Sequence, residues 1–120
     1  MANNLIKPIR GVIVGSSGQT ITGTCVDDDG VAQDISGYTT LTVVAVSPDR
    51  KKTVTATASY KNPPGDGSTG LITWVWAIGN IDRPGIWEIQ LELRTPGSEL
   101  TKSYVGTMQV GKALREMVDT

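Results

Sequence analysis

The segment Trp87-Glu88-Ile89-Gln90-Leu91-Glu92-Leu93-Arg94 constrains the fold more than any other in the chain. Its large apolar residues recur at every second position and its polar residues fill the gaps, the period of a half-buried β-strand and not of a helix. Arg83-Pro84-Gly85-Ile86 stands directly before it. Proline presets φ at the second position of a tight turn and glycine accepts positive φ at the third, so a type II turn is predicted there. A turn at Pro84 and Gly85 thus feeds a strand whose buried face starts at Trp87.

The same reading extends along the chain. Strands are predicted over 9–14, within "QTITGTCVD" (19–27), and over 39–46, 53–60, 71–78, 86–95 and 100–110. Ile21, Gly23 and Cys25 share one face of the second, and "TTLTVVAV" is β-branched enough to be covered on both faces. In "LITWVWAI", Ile72, Trp74, Trp76 and Ile78 fall together. "SPDRKK" reads as a hairpin loop, and "KNPPGDGSTG" (61–70), with its prolines and glycines, as an exposed and mobile loop. Seven strands at short intervals, with no long helical period, point to an all-β domain, an antiparallel sandwich or barrel. Only "GKALREMVDT" offers a helical turn or two, with Ala113, Leu114 and Met117 near one side. At 120 residues the chain is expected to form one domain, with a core over about 9–110. Phe is absent, so core volume must come mainly from aliphatic and β-branched side chains.

Composition also narrows the chemistry. There is no His, which removes the commonest general base, the Ser-His-Asp and Cys-His arrangements and most transition-metal sites. Cys25 is alone, so no intramolecular disulfide or structural zinc site can form, and a buried thiol is expected. A net charge of -1 gives no electrostatic footprint for nucleic acid or an anionic membrane, and neither partner is expected. "MANNLIKPIR" has no apolar core long enough for a secretory signal, and "VVAV" is far short of a membrane span, so synthesis in a cytoplasm is expected.

Asp27-Asp28-Asp29-Gly30 superficially resembles the start of a calcium loop. The bidentate carboxylate due twelve positions in is replaced by Tyr38, so a solvated turn is the better reading and no metal is assigned. Glu88 and Glu92 read as the wet face of a sheet, not as a paired acid and base. Gly15-x-x-Gly18 is not followed by Gly-Lys-Ser/Thr and marks no phosphate site. No cofactor and no catalysis are expected. Tyr60, Trp74 and Trp76 would make a carbohydrate platform if exposed, and core if buried.

Taken in order, Gly18-Gln19-Thr20, Asp29-Gly30, Asp34-Ile35-Ser36-Gly37, Gly70 to Trp76 and Pro84-Gly85-Ile86-Trp87 resemble the turn signatures of the immunoglobulin-like domain of tailed-phage virion proteins. The pattern, spanning roughly Val14 to Val110, is similar to the N-terminal domain of the baseplate upper protein of lactococcal phages and to small stand-alone virion proteins. Gln19 stands where that pattern has Asp. Trp87 stands where it commonly has Tyr, so a corner bond from a Tyr hydroxyl would have to come from an indole N–H.

The resemblance implies an immunoglobulin-like antiparallel β-sandwich of about seven strands. It also implies a structural role in a virion assembled in a bacterial cytoplasm. The chain would be a small connector on the tail or baseplate that holds fibres or receptor-binding proteins, or else a capsid decoration. Its partners would be other virion proteins, met in symmetric multiple copies or as a homo-oligomer. Leu5, Ile6, Leu114 and Met117, apolar and outside the predicted sandwich, are the expected contact residues, unless they pack back on their own domain. A carbohydrate-binding module is the alternative from another class.

Overall fold

A computed structural model describes residues 4–15, 19–61, 65, 67–77, 79–95 and 100–111, with only the backbone path of 100 and 101. The described residues are all β, without helix. Eight strands run in the order β1 (Leu5–Ile6), β2 (Ile9–Ile13), β3 (Thr20–Val26), β4 (Thr40–Val46), β5 (Thr53–Tyr60), β6 (Leu71–Val75), β7 (Gly85–Arg94) and β8 (Leu100–Gly111).

Hydrogen bonding links them as β1-β3-β6-β5-β4-β7-β8-β2, and a further β1–β8 pairing closes a circuit of every strand except β2. This closed arrangement stands where two separate sandwich sheets were expected. Two local devices produce it. β5 pairs with β4 from Thr53 to Ala58 and then turns to β6 through Ser59 and Tyr60. β1 pairs antiparallel with β3 and parallel with β8 through Leu5 and Val105. Just beyond it, β2 continues along the same edge of β8, also parallel, with a register shift between Ile9 and Val12. The sheet is therefore mixed, not purely antiparallel, and has one strand more than the sequence pattern announces.

Glycines permit the close approaches. A Cβ on Gly106 would lie 2.7 Å from the Ile6 carbonyl oxygen, so only glycine lets β1 cross β8 there. On β3, a Cβ on Gly23 would sit 3.2 Å from the Trp74 ring, which fills the space that glycine leaves.

The core sits inside the circuit. Trp87, Ile89, Leu91 and Leu93 are all buried, as their alternation requires, and they meet Val43, Ala45, Tyr104 and Met108. Ile21, Cys25, Ile72, Trp74 and Trp76 line the opposite wall. Trp76 stays buried although β6 ends at Val75. The loop after β5 departs from expectation at its far end. Gly67 and Gly70 are buried, and their carbonyls accept the N–H groups of Ile35 and Cys25 at 2.9 and 2.8 Å. The predicted helical turn around Ala113, Leu114 and Met117 lies outside the described residues.

Candidate interaction surface

The corner before β7 is built as its sequence suggests, with a different bond. Gly85 has φ +122°, and a Cβ there would meet the Pro48 ring at 2.7 Å, so glycine is required at this position. The strand has already begun at Gly85, and the Arg83 carbonyl accepts the Trp87 indole N–H at 3.0 Å. Among the described residues no Ile86 N–H bond closes a type II turn. Trp87, fully buried, instead fastens the corner through its side chain.

Charges then pin this corner to the β4–β5 hairpin. Arg83 reaches Asp82 and Asp49, each at 2.9 Å, and Lys52 bonds both Asp82 at 2.9 Å and the Gly79 carbonyl at 2.6 Å. Hydrogen bonds from Arg83 and Lys52 hold the Asp82 carboxyl well below the usual carboxylate range. The Ser47 hydroxyl, bonded at 2.6 Å, also lowers the Asp49 carboxyl from its ordinary value, helped by the Lys51 N–H. Arg50 pairs with Glu88.

The acidic turn before Gly30 is internally satisfied. Asp27 Oδ1 accepts the N–H groups of Asp29 and Val31 at 2.9 and 3.0 Å, and Gly30 closes onto the Asp27 carbonyl at 3.0 Å. The three carboxylates lie within 4.8 Å of one another, but the Asp27 geometry is that of a self-capping turn.

The aromatic residues do not form a platform. Trp74 and Trp76 are 3% and 2% exposed and pack edge to face at 6.0 Å, so their rings belong to the core. Tyr60 is half-buried; its hydroxyl accepts the Tyr38 N–H at 3.1 Å and donates to the Tyr38 carbonyl at 3.3 Å. Its ring is covered by Gly67, where a Cβ would come within 2.6 Å.

What the surface does present is a groove on the outer face of β4, β7 and β8. It has a volume of about 390 Å³ and is lined by Leu5, Val44, Val46, Gln90, Val105 and Thr107, with Glu88 at one side. The rows follow from register: Val44 is opposite Gln90, which is opposite Val105, which is opposite Leu5. Val44 and Val46 are half-buried, Val105 is 49% exposed and Ile86 further along β7 is 58% exposed. Such an aliphatic, concave face, with its one carboxylate already paired, is suited to packing against another surface and not to proton transfer.

Of the residues expected to make contacts, Leu5 reaches this groove. Ile6 does not, being 3% exposed inside the domain, where alternation along β1 turns it to the core. Leu114 and Met117 lie outside the described residues. The outward row of β4 was not recognised as a surface. Its signal is the run Thr42, Val44, Val46: β-branching on both sides predicts a strand covered on both faces, whereas the outer row is only half-buried. No protein-family model matches the chain, and no curated protein is significantly similar to it.

Proposed function

We propose that the chain is a non-catalytic immunoglobulin-like module of a tailed-phage virion, a connector on the tail or baseplate or a decoration on the capsid. The observation that carries the fold part of this reading is the strand order. If β1 with β2 is strand A, and β3 to β8 are B to G, the circuit reads A-B-E-D-C-F-G, in which A-B-E-D and C-F-G are the two sheets of an immunoglobulin domain. The bond from Trp87 to the Arg83 carbonyl, at the start of strand F, takes the place of that fold's tyrosine corner. The turn signatures from Gly18 to Trp87 point to the phage branch of such domains, and the aliphatic groove of β4, β7 and β8 supplies a face for neighbouring virion proteins.

The experiment is proteomics and cryo-electron microscopy of density-purified particles from the phage that encodes the chain. The chain at fixed stoichiometry in the particles, with the groove against a neighbour, is the expected result. Its presence in the lysate and absence from the particles would overturn the reading. A Val44→Asp variant, which puts a charge into the groove without touching the core, is expected to fold normally and to lower incorporation about tenfold or more, on the order of one well-packed contact residue.

A further inference from the structure

Over Thr53–Ala58, β5 has no strand partner on the side away from β4 among the described residues. The Ser47 N–H donates to the Lys52 carbonyl at 2.9 Å, which makes 47 and 52 a hydrogen-bonded pair of the β4–β5 hairpin. Antiparallel pairs alternate, and the register runs Val46 with Thr53, Ala45 with Val54 and Val44 with Thr55. Val54, Ala56 and Ala58 therefore bond to β4, while the N–H and C=O groups of Thr53, Thr55 and Thr57 point away from it. On that side β6 pairs with β5 only at Ser59 and Tyr60. Thr53, Thr55 and Thr57 are all exposed, and this stretch carries no bulge or proline of the kind that blunts a sheet edge.

Charge selects what can pair there. At the hairpin end, Asp49, Arg50 and Lys52 are neutralised by Arg83, Glu88 and Asp82, which leaves Lys51 exposed with no carboxylate on its ammonium among the described residues. Lys61, just past the other end, is exposed in the same way. A second copy aligned antiparallel about Ala56, which pairs Thr55 with Thr57, would set Lys51 opposite Lys61 of the other chain, a like-charge meeting at both ends. An extended segment with a carboxylate near each end meets both lysines favourably.

We propose that the β5 edge takes up, by strand addition, an extended β-branched segment of a partner protein that carries acidic residues at its two ends. The main chain supplies the ladder through Thr53, Thr55 and Thr57, and Lys51 and Lys61 set the register. The site is distinct from the aliphatic groove and does not depend on the chain being a virion protein.

The test is amide hydrogen exchange and titration calorimetry on the whole chain. The probes are an eleven-residue peptide of alternating Thr and Val with Asp at each end, and the same peptide with Lys at each end. The Asp-ended peptide is expected to slow exchange at Thr53, Thr55 and Thr57 at least tenfold, with Val54, Ala56 and Ala58 protected before and after. The Lys51→Glu/Lys61→Glu double variant is expected to lose at least tenfold in affinity for it and to prefer the Lys-ended peptide. Thr55→Pro, which removes an edge donor and no β4 bond, is expected to abolish binding while the fold survives. Absence of protection, or equal binding of both peptides, overturns the proposal. So does a concentration-dependent dimer that protects the same three amides, since the occupant would then be a second copy.

Discussion

At the residue scale, two buried groups define what the core tolerates. Trp87 combines a fully buried ring with one bond, from its indole N–H to the Arg83 carbonyl. Trp87→Phe keeps an aromatic ring but removes that donor and some volume. Equilibrium urea denaturation is expected to show a loss of about 2 kcal/mol, the sum of a lost hydrogen bond and a small cavity. An unchanged midpoint would mean that the corner is held by Pro84 and Gly85 alone. Cys25 is the second group. Burial pushes its thiol up to about 12, against a weaker opposing pull from Lys102. A thiol whose folded pKa is raised contributes stability below its unfolded pKa of about 8.5, and that contribution is lost as pH rises towards the folded value. Native protein at pH 8 is therefore expected to leave a disulfide-exchange reagent unreacted for hours, and unfolded protein to react at once. Unfolding midpoints should fall between about pH 9 and 12 more for the native chain than for Cys25→Ala.

At the scale of elements, what was legible depended on whether a strand declares itself by its own pattern. β7 did, because Trp87 to Arg94 alternates over its whole length, and β3, β4, β5 and β8 were placed within a residue or two by turn residues and β-branching. β1 was not legible: two residues, Leu5 and Ile6, cannot show a period, and their strand character comes from pairing with β3 and β8. Closure was hidden for the same reason, since it depends on β1 crossing at Gly106 and on β5 changing partner near Ser59, neither of which leaves a local pattern. The candidate surface was half legible. The apolar outer row of β4 stands in the sequence, but whether such a row is covered or open is decided by the strands around it. Gly106→Ala tests the crossing. Its Cβ would be 2.7 Å from the Ile6 carbonyl oxygen and 2.8 Å from the Ile6 Cβ, so β1 must shift or leave. The expected cost is about 1–3 kcal/mol of overpacking. Hydrogen exchange should show faster exchange at Lys7 and Val105, whose N–H groups donate to the Thr24 and Asn4 carbonyls, with the β4–β7 pairing unchanged; uniform destabilisation would place the crossing in the main folding unit instead.

At the scale of the whole molecule, the β4–β5 hairpin and the segment before β7 are distant in sequence and are joined at one end of the circuit by ion pairs. Asp49 and Asp82 both accept bonds from Arg83, and Lys52 ties Asp82 to the Gly79 carbonyl. Both carboxyls are held below their ordinary value, Asp82 first by Arg83 and Asp49 first by Ser47. For a carboxyl with a depressed folded pKa, the unfolded chain takes up protons first. The stabilisation is therefore complete above the ordinary carboxylate pKa of about 3.9 and is lost as pH falls through the folded values. These side chains face solvent, so salt should screen them and the effect should be modest. Thermal unfolding from pH 7 to pH 2 is expected to show native protein above Asp82→Asn by a margin that is flat down to about pH 4 and narrows below it. The same margin should shrink in high salt at pH 7. A margin that stayed constant to pH 2 would mean that the Asp82 contacts act through shape and neutral hydrogen bonding, and that the two loops are held together by the Pro48–Gly85 packing rather than by charge.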